Sequence, residues 1–257
     1  WTVSMIVPIL SPFIGSALVH YFHWSSVFLF MTIFAGTMVL LTILFFKETS
    51  KHKDPNALDP QQLFQNFSQI SINRTFFAYM LIGAVTMSSL YGFLAISSDL
   101  LITQLNQAPA TFAWQFAIVG LGSLTGYIIS ARLSIKLGIN RVIILGLFIT
   151  AISSVTFFLL SINGIFTAMA IIVPFTIQRT GEAMISAQSI AGAITPFPKH
   201  AGAASSLLGF FRQLTGAGVA IAVGYFADGS TLPMAIAFLF GGLAPAVIYI
   251  YFRREIS

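Results

Sequence analysis

The sequence has 257 residues, of which 57% are hydrophobic and only 7% are charged, and its mean hydropathy is +0.91. Soluble domains carry about 25% charged residues, so this composition excludes a soluble globular protein and indicates a polytopic membrane protein. The formal net charge is +5 at pH 7, and the chain has no cysteine, which excludes a disulfide framework and a thiolate metal site.

Eight apolar stretches follow one another along the chain, and each is long enough to cross a bilayer as a helix. The predicted spans are 1–19, 25–46, 75–98, 112–131, 142–161, 165–198, 201–226 and 232–252. The one long polar stretch, 47–74, predicts a central loop that contains a short amphipathic helix around 61–70. We therefore expect an all-α polytopic membrane bundle.

The basic residues are distributed unevenly between the two sets of loops. The loops after the second, fourth, sixth and eighth spans contain ten of the twelve Lys and Arg residues, and the intervening loops contain none. By the positive-inside rule, these ten residues mark the cytoplasmic side. They are spread over four short loops and form no stacked aromatic groove, which excludes a nucleic-acid-binding surface. The ten are Lys47, Lys51, Lys53, Arg74, Arg132, Lys136, Arg141, Lys199, Arg253 and Arg254.

Two charged residues, Arg179 and Glu182, are predicted near the middle of the sixth span. Charges are costly inside a bilayer and usually face a bundle interior or a wet cavity, and the i, i+3 spacing puts these two on one helix face. One interpretation is a proton-linked switch or a substrate contact. The other is a permanent buried ion pair, with Arg212 of the seventh span as a third member, that locks the helix packing. Similar depths in the two spans predict a contact between Arg212 and Glu182.

Aromatic, Met and Gln side chains inside the spans are weaker candidates for the wall of a substrate cavity, because such side chains suit an apolar pocket that accepts ligands of different shapes. Plain helix packing is the alternative for each of them. The candidates are Tyr79, Met80, Met87, Tyr91, Trp114, Gln115, Gln178 and Gln188.

No enzyme signature is visible in the sequence. There is no Gly-rich phosphate loop, so ATP is not the expected energy source, and no nucleophile elbow or pair of catalytic carboxylates occurs. The histidines in turns, His20, His23 and His200, lack metal-ligand spacing, so neither a metal nor a cofactor is expected. A channel is disfavoured because no short repeated filter sequence is present.

Several local patterns resemble those of a known family. Residues 8–16, followed by Trp24, resemble the antiporter motif in the fifth helix of the major facilitator superfamily; Pro8, Pro12 and Gly15 carry it. Residues 181–217 resemble more narrowly the bicyclomycin-resistance (Bcr/CflA) branch of drug:proton antiporters. The basic turn is similar to the superfamily's loop motif between helices eight and nine, and its residues are Arg132, Lys136, Gly138 and Arg141.

This resemblance implies a transporter whose two six-helix halves bind substrate between them and work by alternating access. Residues 1–46 would be the last two helices of the N-terminal half, 47–74 the central cytoplasmic loop and 75–257 the C-terminal half, and helices one to four would be absent. Within the first segment we interpret Pro12 and Gly15 as a bend and a close helix contact. Glu182 stands where the family is commonly apolar, so the resemblance lends it no coupling role.

The expected function is export of small drugs or metabolites in exchange for protons. The expected protein is a multi-pass component of the bacterial inner membrane and a monomer when full length, with substrate, protons and lipid as its partners. Two alternatives stay open. One is a permease or uniporter in which Arg179 and Arg212 bind an anionic metabolite, and the other is a non-transporting structural or sensor protein of the membrane.

Overall fold

A computed structural model describes residues 2–46 and 60–256, and all regular secondary structure in these ranges is helical. The predicted all-α fold class is confirmed, whereas residues 47–59 of the predicted central loop lie outside the described residues. The helices are α1 (Thr2–Tyr21), α2 (Ser25–Phe45), α3 (Pro60–Ile72), α4 (Arg74–Thr86), α5 (Ser88–Ser98), α6 (Pro109–Ile162), α7 (Ala168–Ile194), α8 (Ala201–Tyr225), α9 (Leu232–Tyr251) and α10 (Arg253–Ile256), with a π-helix at Asp99–Gln104 and a 3-10 turn at Pro198–His200.

The helix lengths fit a membrane bundle. Five helical stretches within the described residues are long and apolar enough to cross a bilayer: Ser25–Phe45, Arg74–Gln104, Pro109–Ile162, Ala201–Tyr225 and Leu232–Tyr251. The remaining two long helices, α1 and α7, have 20 and 27 residues. The 54 residues of α6 are interrupted at Gly138, whose φ of 78° and ψ of 169° are not helical. The two limbs of α6 correspond to the fourth and fifth predicted spans, so the described chain has about eight transmembrane helices.

The third predicted span, 75–98, is longer and less regular than expected. It is built from α4, α5 and the π-helix, with a break at Met87 and an end at Gln104. Asp99, the first residue after the predicted span, begins the π-helix. At the other end, the Asn73 side chain caps α4 by accepting a 2.9 Å hydrogen bond from the backbone N–H of Phe76.

The two sets of loops lie at opposite ends of the bundle. At the basic end, Arg74 lies 3.6 Å from Glu255, and Asn140 donates a 2.8 Å hydrogen bond to the carbonyl of Ile256. At the other end, the hydroxyls of Ser161 and Thr231 are 2.7 Å apart. Loops that the charge pattern assigns to one side therefore contact one another.

Two apolar clusters form the core, one toward each end. The cluster near the basic end contains Ile143, Ile185 and Leu208, and the cluster near the other end contains Phe93, Phe175 and Phe238 among its largest side chains. In the latter, the rings of Phe93 and Phe175 stack with centroids 4.2 Å apart. Because α7 contributes to both clusters, its residues between Phe175 and Ile185 cross the middle of the core.

Close backbone approach holds α6 against α7. A Cβ atom at Gly122 would lie 2.5 Å from the carbonyl oxygen of Thr176, and one at Gly126 would lie 2.2 Å from that of Thr180. In the other limb of α6, a Cβ at Gly146 would lie 2.9 Å from the carbonyl oxygen of Gly181. Helices in lipid associate through such packing, since lipid tails are as apolar as the side chains.

The first two helices are attached more loosely. No described residue of α2 is buried. The α1 helix touches the first limb of α6, where Phe13 meets Trp114 edge to face with ring centroids 4.8 Å apart. A Cβ at Gly15 would have no heavy atom within 4 Å, so the close helix contact expected at this glycine is not formed among the described residues.

Candidate functional site

The long helix α7 carries the charged residues that the sequence predicted at mid-membrane. Its first turn is capped by Thr167, whose side chain accepts a 3.2 Å hydrogen bond from Ala170. Glu182 comes fourteen residues after Ala168, which is about 21 Å along the helix axis at 1.5 Å per residue. The 27 residues of α7 extend about 40 Å, so this carboxylate lies at the middle of the helix and, when the helix is centred on the bilayer, at the middle of the membrane.

Arg179 and Glu182 form a direct ion pair, with 2.5 Å between Arg179 Nη1 and Glu182 Oε2. The other guanidinium edge donates from Nε to Ser123 of α6 at 3.1 Å. Only 8% of Arg179 and none of Glu182 is exposed. The predicted neighbouring placement of the two residues on one face is therefore confirmed.

Gln178 joins this pair to two further helices. Its Nε2 lies 2.6 Å from the Ser89 hydroxyl of α5, 3.2 Å from the carbonyl of Phe238 in α9 and 3.5 Å from Glu182 Oε1. The amide nitrogen has two hydrogens, so it donates to two of these three acceptors at a time. We call Ser89, Ser123, Gln178, Arg179 and Glu182 the polar layer, because it lies between the two apolar clusters and links α5, α6, α7 and α9.

Arg212 lies beside the polar layer but does not join it. Its Nη2 donates to Ser186 at 2.7 Å, one helical turn beyond Glu182 on α7. No ion pair within 4.0 Å connects Arg212 and Glu182, both of which are described, so the predicted contact between them is wrong. The two residues do have similar depths, but the α8 side chain reaches α7 a turn closer to the basic end.

Tyr91 is a candidate cavity residue that contacts α8, the helix that carries Arg212. It lies in α5, its hydroxyl donates to Gln213 of α8, and its ring fills the space where a Cβ of Gly216 would stand. Because Gln213 directly follows Arg212 in the chain, Tyr91 packs against the segment of α8 that carries the arginine.

The other candidate cavity residues are spread through the bundle. Tyr79 and Met80 are buried in the apolar cluster near the basic end, with the Tyr79 hydroxyl 3.2 Å from Asn140. Met87 is the residue at the break between α4 and α5, and Gln188 donates to Ser130 at 2.8 Å. The remaining two candidates, Trp114 and Gln115, lie in the first limb of α6, far from the polar layer along the helix. Trp114 is 66% exposed. The side-chain oxygen Oε1 of Gln115 is buried and has no hydrogen-bond partner among the described residues. The burial of Tyr79 and Met80 in the apolar cluster fits the alternative interpretation, in which these side chains pack helices together.

The motif residues occupy two separate places. Pro8 and Pro12 lie within α1, and Pro12 and Gly15 line a cleft of about 820 Å³ between α1 and the start of α6. The basic turn surrounds the kink of α6, where Arg132, Lys136 and Arg141 are exposed and the positive φ of Gly138 suits a residue without a side chain. No group of three metal-ligating side chains occurs within 2–46 and 60–256.

Sequence reasoning missed the serines of the site. Ser89, Ser123 and Ser186 satisfy the polar groups of α7 and α8 from neighbouring helices. Serine often bonds across membrane helices, but the sequence contains many serines in its spans. Which of them face α7 depends on helix rotation, and a nearly uniform apolar pattern does not encode that rotation.

The family model described as Major Facilitator Superfamily matches residues 2–220. The chain belongs to this superfamily. A bicyclomycin resistance protein homolog of Haemophilus influenzae is 24% identical over 216 residues, which cover 84% of this chain and 54% of that protein. The multidrug resistance protein MdtL of Klebsiella pneumoniae is 24% identical over 214 residues, covering 80% and 51%. MdtL of Salmonella paratyphi A is 28% identical over 258 residues, covering 97% and 61%.

These alignments place the chain among proteins named for drug resistance. It spans between half and three-fifths of the length of these relatives. Together with the apolar helices, family membership identifies a multi-pass membrane protein of a transporter superfamily.

Proposed function

We propose that this protein is a secondary active exporter of small drugs or metabolites, driven by proton antiport and working by alternating access in the bacterial inner membrane. Residues 1–46 supply the last two helices of the N-terminal half, 47–74 the central loop and 75–257 the C-terminal half. In this proposal the complete protein acts as a monomer, with substrate, protons and lipid as its partners. The superfamily match and the drug-resistance relatives support the export direction.

The observation that carries the proposal is the polar layer at mid-membrane. A carboxylate that is 0% exposed and paired at 2.5 Å with an arginine is costly to bury, and such groups in membrane helices are most often functional. Glu182 has a partner in Arg179 that can hold its charge, and Gln178 can hydrogen-bond either the charged or the protonated carboxyl through its amide. Protonation of Glu182 would leave Arg179 buried without its counter-charge, so in this proposal the change of protonation state accompanies a rearrangement of the surrounding helices.

Alternating access supplies a reason for the two states to exchange. The four helices α5, α6, α7 and α9 meet at the polar layer, so a change in their angles would alter the hydration of Glu182. Export would follow if substrate and proton favour opposite arrangements of the two halves. A ligand shifts such an equilibrium only by its difference in affinity for the two states.

The test is transport by the complete protein in inside-out membrane vesicles. Bicyclomycin, the drug in the name of one relative, and a panel of small amphipathic drugs would be added with and without an imposed pH gradient. The proposal predicts accumulation that requires the gradient and that a protonophore abolishes. Transport at the same rate with and without the pH gradient would favour the alternative of a permease or uniporter. The absence of transport for all compounds would favour a non-transporting membrane protein.

A further inference from the structure

The membrane-spanning part of this chain carries an excess of positive charge. Seven acidic residues occur in the whole sequence, and Glu182 is the one that falls in the central part of a predicted span; the others are Glu48, Asp54, Asp59, Asp99, Asp228 and Glu255. Two arginines, Arg179 and Arg212, lie at similar depths. The middle of the bundle therefore contains two guanidinium groups and one carboxylate.

The Glu182 carboxylate already has a cationic partner. Glu182 binds Arg179 at 2.5 Å, and no carboxylate of the described residues lies within 4.0 Å of Arg212. The hydrogen bond from Arg212 to the Ser186 hydroxyl occupies one of five guanidinium donors and brings no negative charge. Arginine does not lose its proton in proteins, so a mid-membrane cation is left to be balanced by a group from outside this set.

The unbalanced cation is also accessible. Arg212 is partly exposed, and its helix α8 is among the least buried of the long helices. Leu208 and Gly216, four residues before and after Arg212 and on the same face of α8, are both buried, so the guanidinium lies on the inner side of this helix. A molecule that reaches it meets the ring of Tyr91, which packs against Gly216, and an arginine that can donate two parallel hydrogen bonds to a carboxylate.

We propose that Arg212 is the anion-binding group of the substrate site, and that the preferred substrates are small amphipathic molecules that carry a carboxylate or a similar anionic group. This inference rests on the proposed transport function for its biological meaning, but the binding site itself does not depend on proton coupling.

The test compares naphthoate with its neutral amide, naphthamide, in equilibrium binding to the complete detergent-solubilised protein. The two probes share shape and apolar area, so their difference reports the charge. We expect naphthoate to bind at least about tenfold more tightly, since one charge-assisted bidentate pair contributes more than 1.4 kcal/mol. Equal affinity of the two probes for the natural protein would overturn the inference.

Variants identify the group responsible. Arg212→Gln should abolish the preference for naphthoate, Arg212→Lys should retain a reduced preference, and Arg132→Gln, an exposed cytoplasmic-turn control, should leave it unchanged. A preference that survives in Arg212→Gln would contradict the assignment. If that variant does not fold, Arg212→Lys decides: an undiminished preference overturns the role of the guanidinium fork, and a several-fold loss supports it.

The same experiment separates this inference from the proposed function. Binding is measured without a pH gradient, so a naphthoate preference that depends on Arg212 supports the anion site even where no compound drives proton exchange. Gradient-driven export combined with equal binding of naphthoate and naphthamide would leave the antiporter proposal intact and overturn the anion site.

Discussion

The buried pair Arg179–Glu182 should show strong energetic coupling. Replacing either residue alone by Gln leaves the other charge buried without its counter-charge, which costs about 3–5 kcal/mol. The double replacement Arg179→Gln with Glu182→Gln removes both charges and keeps amide groups for Ser123 and Gln178, so we expect a stability within about 1 kcal/mol of the natural protein. The coupling energy of the cycle, the difference between the summed single effects and the double effect, should then be about 5 kcal/mol or more in magnitude.

The assay is denaturant unfolding of the complete protein in mixed micelles for the four members of this double-mutant cycle. The chain offers a matched control in Arg74 and Glu255, which lie 3.6 Å apart with 80% of the Arg74 side chain exposed. Their coupling should stay below about 1 kcal/mol because solvent screens the pair. Additive effects of Arg179→Gln and Glu182→Gln, within about 0.5 kcal/mol, would refute the buried ion pair.

Three further predictions test the packing, the basic end and the topology. Gly126→Ala should destabilise the protein by about 1–3 kcal/mol in thermal unfolding, because the added Cβ would lie 2.2 Å from a backbone oxygen of α7. The control Gly224→Ala should be neutral or slightly stabilising, because its added Cβ would have no atom within 4 Å. Equal effects of the two substitutions would contradict the close packing of α6 on α7. Asn140→Ala removes the 2.8 Å hydrogen bond to Ile256 and should cost about 1–2 kcal/mol and speed hydrogen exchange of the α10 backbone amides. An unchanged exchange rate would argue against the docking of α10 on Asn140. Because the sequence has no cysteine, Ser134→Cys and Ser230→Cys can be labelled separately: a membrane-impermeant maleimide should label only the latter in intact cells, and the reverse pattern would invert the topology.

The order of the helices follows directly from the sequence. Apolar runs of membrane length end at charged or turn residues, and the basic residues recur at alternate ends, so topology and the number of spans can be predicted without a structure. The break at Met87 could not be predicted, since it lies inside a continuous apolar stretch, and the π-helix at Asp99–Gln104 could not be predicted because the acidic Asp99 marks an end of that stretch. In such a stretch the lipid-facing and buried positions carry the same residue types, and hydrophobic periodicity is lost.

The sequence predicted which charged residues form the candidate site, but it did not predict which residues of other helices they contact. An Arg and a Glu three residues apart in a helix must neighbour each other, and the structure pairs them at 2.5 Å. Contacts between helices depend on the rotation of each helix about its axis. The similar depths of Arg212 and Glu182 were therefore predicted correctly, whereas the contact between them was not. Arg212 bonds Ser186 instead, one turn away on the same helix.

The most direct test of the account measures proton release from the complete, weakly buffered protein when a compound that it exports is added. The natural protein, Glu182→Gln and the peripheral control Glu255→Gln would be compared at equal folded concentration. The account predicts proton release from the natural protein and from Glu255→Gln, and none from Glu182→Gln. Undiminished release from Glu182→Gln would contradict it, and would make the Arg179–Glu182 pair a structural brace with the coupling group elsewhere.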